Sequence, residues 1–305
     1  MLCLFIMKNL LFWLDCTRAY ALPMSVTAWV IAFSAGIAAH GNIIYGVIAL
    51  IGIICVHLGG NLFDDVMDYK NYLRKQKEDK VINIKKGKCR CFRDGQITIN
   101  KALKVCAILF GIGLITGAFF IEIYGLVVFE LMLISGILCL IYPKSAYIGL
   151  SEIVIGILFA PLLFSGVYYV MTGQFSSSLL WLSLSFAIVT VTLLYTDFFL
   201  DYNNDKEEGK KTIPIICGNK NNAYHFYIFL IFLIYAVLFS GIHAHLLTVK
   251  FSIIFLSIFP ALSTIKRLQK YTDKEIKNEK EFMSAMNNVQ RFIAIFAILC
   301  IVSFF

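Results

Sequence analysis

Nine apolar runs constrain this chain more than any other feature, each near the ~20 residues that a helix needs to cross about 30 Å of bilayer hydrocarbon. They fall near residues 21–39, 42–63, 101–120, 124–142, 149–171, 178–199, 223–242, 250–265 and 287–305. The prediction is an all-α, polytopic membrane protein of nine transmembrane helices. A composition of 59% hydrophobic and 15% charged residues excludes an ordinary soluble globular domain. Residues 1–20 read as an interfacial helix or as a tenth, shorter hydrophobic segment, and residues 21–305 as one transmembrane domain.

Positive charge sets the expected orientation. The N-terminal segment holds Lys8 and Arg18, and the second connection holds ten Lys and Arg from Lys70 to Arg93. The fourth holds Lys144, the sixth four more, and the eighth runs from Lys266 to Arg291, whereas Lys250 stands alone on the opposite side. The N-terminus and the even-numbered connections are therefore expected in the cytoplasm of a cell-membrane protein, with the C-terminus outside. On this reading the net charge of +8 is a topology signal and implies no nucleic-acid partner. No obligate protein partner is evident. The scattered cysteines imply no disulfide framework, and Cys89 and Cys91 read as free thiols with only a weak resemblance to zinc spacing.

Function is expected at the cytoplasmic face, because the two long polar connections, 64–100 and 197–222, both lie there. Each begins with carboxylates at the end of a span and continues into a basic, glycine-punctuated stretch: Lys85-Lys86-Gly87-Lys88-Cys89-Arg90 in one, Glu208-Gly209-Lys210-Lys211-Thr212 in the other. In the first, Asn61, Asp64, Asp65 and Asp68 share one face if the helix continues. In the second, Asp197, Asp201 and Asp205 recur every fourth residue and form a second stripe. A membrane helix carries aspartates at a cost of about 2.5–3.5 kcal/mol each, so a compensating cation is expected. Carboxylate oxygens suit Mg²⁺, shared between one or two carboxylates and a substrate phosphate, and two such clusters facing each other would hold a diphosphate. Solvated helix ends paired with neighbouring lysines are the simpler alternative. A transporter would instead favour mid-span carboxylates, of which Glu130 is the clear case.

These residues resemble the UbiA superfamily of intramembrane prenyltransferases. Asp64-Asp65-Val66-Met67-Asp68 matches the first aspartate motif of that superfamily with Asp64 in place of the usual Asn, and Tyr72 stands where a further aspartate is common. Asp201, Asp205, Gly209, Lys210 and Thr212 match the second motif in register. The resemblance implies a nine-helix UbiA-like bundle and Mg²⁺-dependent transfer of a polyprenyl group from a polyprenyl diphosphate to a small acceptor. Gly149-Leu150-Ser151-Glu152 and the stretch from Gly166 to Gly173 are similar to the 1,4-dihydroxy-2-naphthoate polyprenyltransferases of menaquinone biosynthesis, so an aromatic acceptor is expected. Leu200 and Asp197 depart from that branch, where Arg and Asn are frequent.

The expected site follows residue by residue. Asp64, Asp65, Asp68, Asp201 and Asp205 are the metal ligands, and Asn61 orients the first cluster. Arg90, Lys144 and Lys210 face the departing diphosphate, with Tyr142 and Lys144 resembling a tyrosine and lysine of relatives; Lys144 serves equally well as a topology anchor. His57 reads as a polar residue satisfied in helix packing, with an acceptor-side base as the other reading, and Glu152 as an acid favoured at a helix N-terminus. The other readings are a prenyltransferase with another acceptor, such as a heme-like macrocycle or a sugar phosphate, and a carboxylate-lined transporter.

Overall fold

The computed structural model describes residues 10–77, 89–276 and 278–305, and among these every regular element is helical. Nine helices among the described residues are long and apolar enough to cross a membrane. They are α1 Ala19–Ala38, α2 Ile43–Lys77, α3 Ile99–Tyr124, α4 Leu126–Ser145, α5 Ser151–Thr172, α6 Ser177–Leu200, α7 Lys220–His243, α8 Val249–Gln269 and α9 Glu279–Phe304. Each corresponds to one predicted run. Residues 10–16 are helical and lie ahead of α1. Residues 1–9 of the predicted interfacial segment and the basic stretch Lys85-Lys86-Gly87-Lys88 lie outside the described residues.

Local chemistry sets the helix ends. The side chains of Thr98, Ser176, Asn219 and Asn278 accept from the backbone N–H groups of Lys101, Leu179, Asn222 and Glu281, capping α3, α6, α7 and α9. Each cap satisfies a donor that the first helical turn leaves orphaned, a contribution of about 1 kcal/mol. Gly173 closes α5 in the left-handed region at φ 72°. Apolar runs give no warning of departures from regular α-helix. A π-helical turn, Leu158–Leu162, surrounds Pro161 in α5, Pro143 lies inside α4, and α8 starts as 3₁₀ helix over Val249–Ser257. Glu130 lies near the start of α4 rather than at mid-span, and it is exposed.

The chain forms two compact units. One comprises Met1–Val26 and Val47–Pro143, the other Thr27–Gly46 and Lys144–Phe305. In the first, α2 and α3 approach closely through small residues: a Cβ placed on Gly113 would stand 2.5 Å from a Val56 methyl. The buried cluster beside them joins Leu62 and Val66 of α2 to Cys16, Cys91, Phe92 and Cys106. Within this cluster Cys16 and Cys91 are joined by a disulfide, with Cα atoms 5.8 Å apart. That corrects the expectation of free thiols: Cys91 is in the disulfide, and Cys89 alone of the Cys-x-Cys pair keeps its thiol.

In the second unit α6 is pinned to α7 by polar bonds to backbone. Tyr195 Oη donates to the Ala223 carbonyl at 2.7 Å, Trp181 Nε1 to Val237 at 3.0 Å and Ser185 Oγ to Ile234 at 3.3 Å. Tyr227 Oη donates to Thr264 Oγ1 at 2.9 Å and so ties α7 to α8. Bonds of this kind contribute about 0.6 kcal/mol each in a membrane bundle, so their number matters more than any one of them. Phe186 and Phe296, with ring centroids 6.2 Å apart, bring α9 against α6.

Candidate active site

The first carboxylate cluster stands on α2, which runs unbroken through Asn61, Asp64, Asp65 and Asp68, so the predicted helical face exists. Asp64 and Asp65 are buried, and Asn61 and Asp68 are half-buried. The cation that compensates them comes from the segment ahead of α1. Arg18 Nη2 lies 2.8 Å from Asp64 Oδ2, and Arg18 Nε lies 3.5 Å from Asp65 Oδ1. Burial works against the charge of Arg18, but the Asp65 and Asp64 carboxylates outweigh it and hold the guanidinium pKa well above its ordinary value. The backbone there is left-handed, with φ 52° and ψ 48°, a conformation that costs a non-glycine residue roughly 1–2 kcal/mol. The ion pairs offset that cost.

Asn61 locks the same segment from the other side. Its Nδ2 donates to the Thr17 carbonyl at 3.2 Å, and its own backbone carbonyl accepts from Arg18 Nη2 at 3.1 Å. Asn61 therefore positions the arginine that holds the carboxylates. From the far end of the polar connection, the Cys89 N–H donates to Asp65 Oδ2 and the Cys89 thiol to the Asp65 backbone carbonyl, both at 3.3 Å. One turn before Asn61, His57 Nδ1 pairs with Ser25 Oγ at 2.7 Å, the packing role expected of it.

The second cluster departs from a single helical stripe. α6 ends at Leu200, Asp201 leaves helical geometry at φ −103° and ψ 17°, and a short helix resumes over Tyr202–Glu207. The register of four nevertheless survives. The Asp201 N–H donates to the Asp197 carbonyl at 3.1 Å, and the Asp205 N–H to the Asp201 carbonyl at 3.0 Å. Gly209, at φ 77°, then turns the chain so that the Lys210 N–H reaches the Asp205 carbonyl at 3.0 Å. The turn buries Lys210 beside the carboxylates, with Nζ 2.8 Å from Asp205 Oδ1 and 2.5 Å from Glu208 Oε2. A buried ammonium is stable only with such partners. Asp201 Oδ1 accepts from Asn204 Nδ2 at 2.8 Å.

Tyr142 lies within electrostatic reach of Arg18 in the first unit. Arg90 is largely exposed and pairs with Asp94 at 3.7 Å, and Lys144 is exposed at the end of α4. Sequence reasoning missed Arg18, which counted there only as a topology charge, and Glu208, which passed as part of a polar run. No local signal marks Arg18, because its partners lie more than forty positions away, at an Arg18–Asp64 separation of 46.

Both clusters offer oxygen donors, a set that fits a hard divalent cation such as Mg²⁺. Among the described residues no three His, Cys, Asp or Glu form a group that could hold a metal by themselves. Mg²⁺ is commonly held by one or two carboxylates with substrate phosphates completing the shell, so this arrangement fits the ion.

The fold and these clusters define a multi-pass, all-helical membrane protein with polar chemistry concentrated at the ends of α2 and α6. The sequence pattern of the UbiA prenyltransferase family matches residues 24–301, nearly the whole chain, and the protein belongs to that family. No curated protein matches it by sequence. Solved structures share its fold at low identity. A digeranylgeranylglyceryl phosphate synthase structure is 17% identical with a TM-score of 0.66, over 97% of this chain and 99% of that one. A UbiA homolog from Archaeoglobus fulgidus, bound to DMAPP and Mg²⁺, is 16% identical with a TM-score of 0.68, over 94% and 98% of the two chains. A UbiA homolog from Aeropyrum pernix K1 is 13% identical with a TM-score of 0.67, over 91% and 97%.

Proposed function

We propose that this enzyme transfers a polyprenyl group from a polyprenyl diphosphate to 1,4-dihydroxy-2-naphthoate, the prenylation step of menaquinone biosynthesis, at the cytoplasmic face of the cell membrane. The observation that carries prenyl transfer is the pair of aspartate clusters within a chain of this family, each joined to its own buried or half-buried cation. The Archaeoglobus homolog, which holds DMAPP or GPP together with Mg²⁺, supports the same chemistry here. The acceptor reading is supported by Gly149-Leu150-Ser151-Glu152 and the Gly166–Gly173 stretch. The ten positive charges between Lys70 and Arg93 support the cytoplasmic placement.

Asp64, Asp65, Asp68, Asp201 and Asp205 are the residues that would hold Mg²⁺. Bound there, the ion supplies Lewis-acid neutralisation of the diphosphate, turning it into a leaving group. Lys210 holds Asp205 and Glu208 in place and adds positive charge where the diphosphate leaves. Arg18 does the same beside Asp64 and Asp65. Arg90 and Lys144, whose side chains are exposed, would meet the phosphate oxygens from solvent. As the C–O bond to diphosphate breaks, the allylic carbon takes up the positive charge, an electron-rich ring carbon of the acceptor attacks it, and loss of a proton or of CO₂ from that ring carbon restores the aromatic ring. The isoprenoid tail stays in the apolar part of the bundle.

The deciding experiment measures pyrophosphate release from a long-chain prenyl diphosphate by purified protein with 1,4-dihydroxy-2-naphthoate, with and without Mg²⁺, beside Asp201→Ala. Mg²⁺-dependent release with a prenylated 1,4-naphthalenediol product, lost in the variant, is the expected result. Binding of the prenyl diphosphate without turnover would discard the acceptor, and absence of binding would discard the enzyme reading.

A further inference from the structure

Glu152, the second residue of α5, is fully buried at 0% exposure. A carboxylate so placed is costly unless hydrogen bonds replace its water, and the bonds it makes here reach far beyond its own helix end. Oε2 accepts from Ser151 Oγ at 2.7 Å. Oε1 accepts from the Ile213 N–H, also at 2.7 Å and 61 positions away in sequence. Ile213 follows directly on the Gly209-Lys210-Lys211-Thr212 stretch of the second cluster.

Two more contacts dock the same stretch on the connection between α4 and α5. The Lys211 N–H donates to the Ala146 carbonyl at 2.7 Å. Gly149, at φ 82°, lies so close that a Cβ there would stand 2.9 Å from Ile216 Cδ1 and 3.2 Å from the Lys211 carbonyl. The loop is thus fixed at Lys211, Ile213 and Ile216, and Lys210 is the next residue upstream, with its backbone and ammonium both bonded to Asp205. An acid at a helix N-terminus would need none of this. Among these contacts Glu152 contributes the only side chain that reaches the loop backbone.

We propose that Glu152 is a positioning residue for the second aspartate cluster: through the Ile213 N–H it fixes the loop that sets Lys210 against Asp205, and so tunes how that cluster binds the metal–diphosphate group. The proposal rests on the prenyltransferase reading above. The test compares Glu152→Ala with Glu152→Gln in purified full-length enzyme. Gln keeps a carbonyl acceptor for Ile213 and removes the charge, whereas Ala removes both.

Glu152→Ala is expected to raise the Mg²⁺ concentration for half-maximal activity and the KM for prenyl diphosphate by roughly 10-fold or more, the usual effect of losing an outer-shell partner, with the acceptor KM unchanged. Glu152→Gln should stay within about threefold of wild type by the same measure. Hydrogen exchange across residues 209–217 should accelerate in the Ala variant and much less in the Gln variant. The idea is overturned if Ala leaves both the Mg²⁺ dependence and the loop exchange at wild-type values. It also fails if Gln is as damaging as Ala, which would make the charge, and not the bond to Ile213, the point of the residue. If wild type itself releases no pyrophosphate, the prenyltransferase reading falls, and the exchange comparison still decides whether Glu152 holds the loop.

Discussion

The two aspartate clusters solve one electrostatic problem by different routes. The cluster on α2 borrows its cation from outside its own helix: Arg18 arrives from 46 positions upstream and Cys89 from 24 positions downstream. The cluster after α6 is nearly self-contained, since Lys210 lies five positions from Asp205 and is brought back by a single glycine turn. A carboxylate near hydrocarbon needs a counter-charge in either case. What differs is whether that charge depends on local chain geometry or on the folding of the rest of the unit. The local pair finds its counter-charge within one turn, although Glu152 bonds to the loop that carries it, whereas the long-range pair couples the first site to the packing of the N-terminal segment.

The largest expected effect tests whether both clusters are needed. Asp65→Ala and Asp205→Ala should each lower kcat/KM for prenyl diphosphate by at least about 100-fold, the scale seen when one preorganised charge-stabilising group is lost. Full activity in either variant would make that cluster a solvated helix end and break the comparison. Next come the cations. Arg18→Ala should destabilise the protein by about 3 kcal/mol, because it removes the cation that faces two buried carboxylates, and added Mg²⁺ should recover part of the loss in thermal unfolding. Lys210→Ala should cost a similar amount, but its increase in hydrogen exchange should stay within residues 201–217. If both variants loosen only their own loops, the contrast between long-range and local compensation is wrong.

The disulfide gives a smaller and more selective effect. Cys16–Cys91 closes a separation of 75 residues around the first cluster, so Cys91→Ser or reduction should lower stability by about 2 kcal/mol. The loss should appear in exchange near Arg18 and Asp65 and leave residues 201–217 unchanged. Least perturbing of all is a topology test. A membrane-impermeant thiol reagent applied to intact cells, in a background lacking native reactive thiols, should label Gln174→Cys and spare both Arg93→Cys and Lys206→Cys. Labelling of only one of the latter pair would place the two clusters on opposite sides and end any shared role.

Much of this was legible in the residues. The nine runs became nine helices among the described residues, and Asn61, Asp64, Asp65 and Asp68 do share a helix. Asp201, Asp205, Gly209 and Lys210 could be placed by motif alone, because a turn and a five-residue reach are local properties. The disulfide was not legible, since Cys16 has nothing in its own neighbourhood to mark a partner. Nor was the break at Asp201, where an apolar helix meets a polar one and the register of four continues through non-helical geometry.

The sequence by itself determined the solvent, the number of crossings, the helical faces and the second motif. These follow from transfer free energies summed residue by residue and from a helical repeat that relates positions three and four apart. Only the tertiary structure decided which cation answers Asp64, which cysteine pairs with Cys16 and what the buried Glu152 holds. Those pairings span 46, 75 and 61 positions, and no local energy distinguishes the right partner from the others until the helices have packed.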